Sequence, residues 1–119
     1  MKRILFTNET FRKDVNYTVR LGVKYTQRLQ IGDIVKVNDA FENKSYTGHA
    51  IAITSITVCQ LRDMPTELLK RNHDIKCVTQ ESLIQTLMAC YNIPKDEHYK
   101  MQDKIVTVIG FKAFFMSAI

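Results

Sequence analysis

One short segment, residues 20 to 33 with the sequence RLGVKYTQRLQIGD, concentrates side chains that bind anions or take part in catalysis. We call it the anion-binding segment. It contains three cations, an aromatic ring and a hydroxyl: Arg20, Lys24, Arg28, Tyr25 and Thr26. Cations beside a ring suit nucleic acid, because the cations bind phosphates and the ring stacks on a base.

The positive charge of the chain is concentrated in its first third. The net charge is +5 over 119 residues, and residues 1–36 account for all of it, with eight basic and three acidic side chains. The eight are Lys2, Arg3, Arg12, Lys13, Arg20, Lys24, Arg28 and Lys36. This asymmetry favours an anionic partner such as nucleic acid or a nucleotide phosphate. A solvated basic face that keeps the protein soluble is the alternative.

The elements that must position this segment are predicted to begin with a strand from Arg3 to Thr7. A first helix follows, capped by Thr7 or Asn8 with Glu9 in its first turn, and Gly22 ends it. Apolar residues every fourth position form its inward face: Phe11, Val15 and Val19. A polar row occupies another face and brings Arg12 near the anion-binding segment: Arg12, Asn16 and Arg20.

The rest of the chain alternates between strands and helices. We expect strands at Ile34–Val37 and from Tyr46 to Cys59. In the second strand the alternation of apolar and polar residues shifts by one position near Thr54 and Ser55, which indicates a β-bulge. We then expect a short helix at Met64–Arg71 and a second helix that is capped by Thr79 and stops before Pro94. A final strand, covered on both faces, is expected over Ile105 to Ile109. This order predicts one α+β domain over residues 1–119, built around a small mixed β-barrel flanked by helices.

The anion-binding segment resembles the ASCH domain, a branch of the PUA-like superfamily. A basic helix end is followed by Gly-x-Lys with a hydroxyl residue and an arginine, and then by Gly-Asp before a strand: Gly22, Lys24, Tyr25, Thr26, Arg28, Gly32 and Asp33. The later GHAIAITSI, TQESLIQTLMACY and IVTVIGF segments occur in the order that such domains use. The resemblance covers roughly Lys2 to Lys112.

The resemblance implies a cleft beside the barrel that recognises RNA or a modified nucleoside. Some ASCH members are small amidohydrolases of acetylated cytidine that use a lysine, a threonine and a glutamate. Lys24 corresponds to that lysine, and Thr26 stands for the threonine in a segment that is one residue shorter. The glutamate has no counterpart, because Lys76 occupies its expected place, with Asp74 and Glu81 nearby.

Three functions remain open at this point. The first is a module that binds nucleic acid or a nucleotide, with RNA as the expected ligand, through a basic cleft at Lys24–Arg28. The second is a small hydrolase of a modified nucleoside, or a nuclease, with Lys24 and Thr26 as its catalytic residues. The third is a phage-type inhibitor or adaptor that binds a host protein. The predicted ligand-binding residues are Arg12, Arg20, Lys24, Tyr25, Thr26 and Arg28.

No cofactor or metal is expected. The nearest pair of metal-ligating residues, His73 and Cys77, falls short of the four ligands of a structural zinc site. The three cysteines, Cys59, Cys77 and Cys90, are odd in number and widely spaced, which is typical of reduced thiols. No apolar stretch has the roughly 20 residues of a membrane span, so we expect a cytoplasmic protein with no membrane partner.

Overall fold

The computed structural model describes residues 2–8, 10–41 and 44–116. Five strands form one sheet in the order β1-β3-β4-β5-β2: β1 (Arg3–Phe6), β2 (Val15–Leu21), β3 (Ile34–Asp39), β4 (Tyr46–Gln60) and β5 (Ile105–Phe115). β1 runs parallel to β3, and all other neighbours are antiparallel. The helices are α1 (Lys24–Arg28), α2 (Thr66–Lys70) and α3 (Gln80–Cys90), with 3-10 segments at Leu61–Asp63, Ile75–Cys77 and Lys95–Asp103. A mixed sheet with a few helices confirms the α+β class.

The first predicted helix is wrong, because its second half is strand β2. This strand pairs with β5 along its whole length, from Val15 opposite Lys112 to Leu21 opposite Val106. A spacing of four residues places side chains on one face of a strand as well as on one face of a helix, so Val15 and Val19 fit both. The β-branched and aromatic residues of VNYTVRL favour the extended chain. Glu9, expected in the first turn of that helix, lies outside the described residues.

The predicted polar row is therefore absent as well, and its members lie in different surroundings. Asn16 is fully buried, and its side chain accepts a hydrogen bond from the Arg12 backbone N–H at 2.7 Å and donates to the Arg12 carbonyl at 3.0 Å. These bonds hold the loop that leads into β2. Arg12 itself is exposed, whereas Arg20 is partly buried.

The bulge predicted in β4 is confirmed. The pairing of β4 with β5 shifts register between Ile53 and Ser55, opposite Gly110. A Cβ at Gly110 would lie 2.2 Å from the Ser55 Oγ and 2.9 Å from the Tyr17 Cε1, so only glycine fits this close approach. The bulge gives the sheet a strong local twist.

β5 is covered from Val106 to Phe111, where every residue is buried, as its sequence predicts for Val106 to Ile109. Ile105, the first residue of the predicted covered strand, is exposed. One cluster of buried side chains joins the sheet to the helices and includes Leu83, Leu87 and Val108. A second cluster fills the concave side of the sheet and includes Ile4, Phe6 and Phe111.

The sheet is open, so the predicted barrel is not confirmed. β1 and β2 are its two edge strands. The two strands nevertheless come close together: the Arg20 Nη1 of β2 donates a hydrogen bond to the Leu5 carbonyl of β1 at 2.8 Å. The gap between the two edges is bridged by a side chain and not by a backbone ladder among the described residues.

The predicted cap of α3 is confirmed. The Thr79 side chain accepts a hydrogen bond from the Ser82 N–H, and the Ser82 hydroxyl accepts one from the Thr79 N–H. This helix buries Leu83, Ile84, Leu87 and Met88 as its pattern predicts, while Tyr91, expected on the same stripe, is its exposed C-cap. α2 begins at Thr66, and Pro65 is its N-cap residue. None of the helices in the described part of the chain has the length and apolar character of a membrane span.

Candidate nucleic-acid interface

The segment singled out in the sequence forms a short helix, α1, tied to the sheet at both ends. At its start, Gly22 adopts a φ of +80°, which a glycine tolerates, and its carbonyl accepts a hydrogen bond from the Thr107 hydroxyl at 2.7 Å. After its end, Leu29 is buried in the concave core. The Asp33 carboxylate then holds the turn by accepting from the Gln30 N–H at 2.8 Å. These anchors fix the position of α1 relative to the sheet.

Beside α1 lies a cavity of about 450 Å³ that we call the basic cleft. Its polar lining consists of five cations and one tyrosine, contributed by β1 and the residue before it, by α1 and by the β3–β4 connection: Lys2, Arg3, Lys24, Tyr25, Arg28 and Lys44. Ile4, Leu5 and Leu29 supply its apolar lining. Lys24 and Arg28 are four residues apart, which places them on the same side of α1. The structure therefore brings together three of the predicted site residues, Lys24, Tyr25 and Arg28.

The charges in the basic cleft are only partly compensated. Lys2 Nζ donates to the Asp33 Oδ2 at 2.7 Å, and hydrogen bonds from Lys2 and then from the Gln30 backbone lower the pKa of Asp33. For Lys24 the closest aromatic contact is the Tyr25 ring, 5.2 Å from its Nζ. No acidic side chain occurs among the described residues that line the cleft. The cleft is therefore an electropositive surface.

Thr26 and Arg12 do not line the basic cleft. The Thr26 hydroxyl donates to the Val23 carbonyl at 2.7 Å. Residues two apart on a helix point to different sides, so α1 does not direct the Lys24 ammonium toward Thr26. The Arg12 guanidinium donates to the Lys70 carbonyl at 3.0 Å. The catalytic role predicted for Lys24 and Thr26 and the binding role predicted for Arg12 stay predictions.

The acidic residues considered for the hydrolase are also dispersed. Glu81, at the start of α3, accepts hydrogen bonds from Gln85 and His98, each at 2.9 Å, and these bonds lower its pKa. Asp74 accepts from the Lys76 N–H at 2.9 Å and lines a different cavity. No carboxylate of the described residues lies beside Lys24 in the basic cleft.

That second cavity, which we call the Arg20 pocket, has a volume of about 200 Å³. Its polar lining includes Arg20, Thr18, Asn72, His73, Asp74 and Tyr91, and Leu5 lines both cavities. Residues 71–73 reach it by pairing with the outer edge of β2: the Tyr17 N–H donates to the Arg71 carbonyl at 3.1 Å, and the His73 N–H donates to the Tyr17 carbonyl at 3.0 Å.

Burial shapes the charges of the Arg20 pocket. It lowers the pKa of Arg20, whose guanidinium carbon lies 4.8 Å from the centre of the Phe6 ring and 5.7 Å from that of Tyr25. Burial also lowers the pKa of His73 to about 4, and the charge of Arg20 adds to that shift, while a hydrogen bond with the Thr10 carbonyl opposes it. At neutral pH His73 is therefore uncharged. A guanidinium keeps its proton in proteins, so Arg20 is the cation of this pocket.

Sequence reasoning missed several residues of both cavities. Lys2, Arg3 and Lys44 join the cleft because β1 lies parallel to β3, a pairing over thirty residues that no local pattern reveals. The excess of basic residues in the first third of the chain was the available signal for Lys2 and Arg3. In the sequence, His73 is notable only as a possible metal ligand together with Cys77. Among the described residues, no three His, Cys, Asp or Glu side chains are grouped closely enough to hold a metal ion.

Comparisons with known proteins show the fold. No family model matches the sequence, and no curated protein matches it. A crystal structure of an ASCH domain from Lactobacillus crispatus JV V101 is similar, with a TM-score of 0.51 and 18% identity over 84% of this chain and 64% of that one. Protein EF3133 from Enterococcus faecalis V583, of family DUF984, is similar with a TM-score of 0.55 and 10% identity over 84% of this chain and 61% of that one.

These likenesses confirm that the chain has the fold of an ASCH domain, as the resemblance of the Gly22–Asp33 segment predicted. At 18% and 10% identity the likeness is one of fold. The chain spans less than two thirds of the length of either structure, namely 64% and 61%.

Proposed function

We propose that this protein is a nucleic-acid-binding module that holds a single strand, with RNA as its ligand, in the basic cleft. The observation that carries the proposal is the grouping of five cations and one tyrosine around one cavity of about 450 Å³. Clustered cations release the counterions of a polyanion when they replace them at the phosphates, and this release drives binding. The ASCH fold is consistent with such a role.

The shape of the cleft favours a single strand over a duplex. RNA duplexes are recognised across wide grooves, whereas single strands lie in grooves where cations track the backbone and apolar or aromatic groups contact the bases. Ile4, Leu5 and Leu29 provide an apolar lining for a base. Lys24 acts as a flexible point charge and Arg28 as a planar fork for a phosphate.

The Tyr25 ring is not fully accessible for stacking on a base. It is partly buried, packs against the concave core and has the cations of Lys24 and Arg20 within 6 Å of its centre, at 5.2 and 5.7 Å. We therefore assign Tyr25 to the wall of the cleft, where it offers a base the part of the ring that the cations leave uncovered.

The test is a salt titration with a short, unstructured, labelled RNA, followed by fluorescence anisotropy. The logarithm of the binding constant should fall linearly with the logarithm of salt concentration, by about 0.7 for each phosphate contact to a single strand. Lys24→Ala and Arg28→Ala should each weaken binding and flatten that slope by about 0.7, which corresponds to one lost contact. Lys95→Ala removes an equally exposed lysine outside both cavities and should change neither quantity.

Absence of binding at low salt, or equal losses in Lys24→Ala and Lys95→Ala, would overturn the proposal. The same preparations separate the other two functions. Release of cytidine from acetylated cytidine by the native protein but not by Lys24→Ala would favour the hydrolase. Capture of one host protein by a chain that does not bind RNA would favour the adaptor.

A further inference from the structure

The Arg20 pocket contains a guanidinium without a carboxylate partner. No ion pair involves Arg20 among those of the described residues. Its Nη1 donates to the Leu5 carbonyl at 2.8 Å, and a hydrogen bond with the Tyr25 side chain favours its charged form. A guanidinium has five N–H donors. Most of its hydrogen-bonding capacity is therefore not used by these two partners.

Such a cation is costly unless something compensates it. Removing a charge from water without a counter-charge is unfavourable, and two aromatic rings and one carbonyl recover only part of that cost. The groups that oppose the lowering of the Arg20 pKa are two tyrosines and a cysteine, Tyr25, Tyr91 and Cys90, and no carboxylate is among them. An anion bound in the pocket would supply the missing charge.

Further donors of the pocket lie on other elements. The Tyr91 hydroxyl, at the end of α3, accepts a hydrogen bond from the Leu21 N–H at 3.3 Å, which leaves its own hydrogen for another acceptor. Thr18, on β2, brings a hydroxyl to the same lining. Donors on separate elements suit a tetrahedral oxyanion, which accepts hydrogen bonds in several directions.

Asp74 is the only carboxylate among the described lining residues, and its side chain bonds a backbone N–H rather than the Arg20 guanidinium. It accepts a hydrogen bond from the Lys76 N–H at 2.9 Å and acts on the pKa values of His73 and Cys77. It is not among the groups that shift the pKa of Arg20.

We propose that the Arg20 pocket is a second binding site that takes one phosphate group on the Arg20 guanidinium. The site does not depend on the proposed function of the basic cleft. Its volume of about 200 Å³ suits a phosphate carried by a small molecule or by the end of a nucleic-acid strand. The fork of the guanidinium matches two phosphate oxygens, which gives the site a preference that a lysine would not reproduce.

The test uses inorganic phosphate, followed by isothermal titration calorimetry and by thermal unfolding, with sodium chloride at equal ionic strength as the reference. Phosphate should raise the unfolding temperature of the native protein above the chloride reference, because a ligand of the folded state stabilises it. Arg20→Lys keeps the charge but loses the fork and should weaken phosphate binding by about tenfold. Arg62→Lys makes the same change at the exposed pair with Asp103 and should leave phosphate binding unchanged.

If Arg20→Lys does not fold, Tyr91→Phe provides the second variant, since it removes only one exposed hydroxyl and should weaken phosphate binding about threefold. The proposal would be overturned if the folded variant, Arg20→Lys or Tyr91→Phe, bound phosphate as tightly as the native protein. A loss of phosphate binding in Arg62→Lys as large as in that variant would also overturn it. Absence of phosphate binding by the native protein would overturn it as well.

Two oligonucleotides distinguish the sources of the phosphate. A strand with a terminal phosphate that binds more tightly than the same strand with a terminal hydroxyl, with the difference lost in Arg20→Lys, identifies a strand end. Equal binding of the two strands together with retained binding of inorganic phosphate identifies a small phosphorylated molecule. Because inorganic phosphate needs no RNA, the phosphate site can stand when RNA binding fails, and the reverse also holds.

Discussion

The basic cleft and the Arg20 pocket share Leu5 in their linings, but their cations lie in contrasting surroundings. The cleft has five cations, of which Lys2 is half exposed and paired with Asp33. The pocket has one arginine, held against two rings and a backbone carbonyl. Basic side chains thus occur as an exposed group in the basic cleft and as a single, partly buried charge in the Arg20 pocket.

This difference teaches what each region can recognise. Exposed cations act by their number, and their attraction for a polyanion falls with salt because ions screen it. A partly buried guanidinium acts by its direction, because burial reduces the screening by solvent and its planar fork requires matching acceptors. We therefore expect the cleft to determine salt dependence and the pocket to determine selectivity. Three predictions test whether the two regions differ in this way.

The largest expected effect is an acid loss of stability that originates in the Arg20 pocket. His73 has a folded-state pKa of about 4, below its ordinary value of 6.5, chiefly because of burial. As the pH falls from 6.5 to 4, the unfolded chain takes up the proton before the folded one does, so the free energy of unfolding decreases. The loss attributable to His73 should reach about 3 kcal/mol. Urea unfolding across this range, in buffers free of phosphate, measures it.

Two variants isolate the contribution of His73. His73→Phe retains an aromatic ring among Phe6, Phe11 and Phe111, whose centres lie 5.0 to 6.1 Å from that of His73, and it should lose this part of the pH dependence. His98→Asn changes a partly exposed histidine paired with Glu81, and this variant should keep the pH dependence of the native protein. Identical pH profiles for the native protein and His73→Phe would contradict the prediction.

The next effect contrasts the two kinds of cation directly. Arg20→Ala removes the link between the edge strands and leaves the Leu5 carbonyl without its donor, which should cost about 2 kcal/mol of unfolding free energy. Lys24→Ala, on the surface of α1, should change the unfolding free energy by less than about 0.5 kcal/mol. Denaturant unfolding at neutral pH compares the two. A smaller loss in Arg20→Ala than in Lys24→Ala would remove the distinction between cleft and pocket.

The smallest effect concerns Arg12, which the sequence placed beside the anion-binding segment and the structure places outside both cavities. Arg12→Gln should weaken RNA binding by less than about twofold, because a distant charge contributes only through the screened field of the protein. The anisotropy titration described for Lys24→Ala measures this change. A loss as large as that of Lys24→Ala would extend the interface along the loop before β2.

Part of the fold could be predicted because the relevant signals are local. Thr79 with Ser82 marks the start of α3 through two reciprocal hydrogen bonds, and the slip of alternation at Thr54 and Ser55 marks the bulge of β4. The helix assigned before Gly22 failed because a four-residue spacing of Val15 and Val19 fits both helix and strand. Pairing with β5 decided between them, and this pairing joins residues as far apart in sequence as Val15 and Lys112.

The candidate site shows the same division. The sequence by itself determined the ASCH-like segment, the excess of positive charge in residues 1–36 and the grouping of Lys24, Tyr25 and Arg28, because these depend on residue types and short spacings. Only the tertiary structure decided that Arg20 lines a different cavity from these three residues while its guanidinium stays in contact with the Tyr25 ring. Alternate residues of a strand point to opposite faces, and the approach of β2 to β1 encloses this arginine against Phe6 and Leu5. Such an approach depends on contacts between distant strands, which no local pattern specifies.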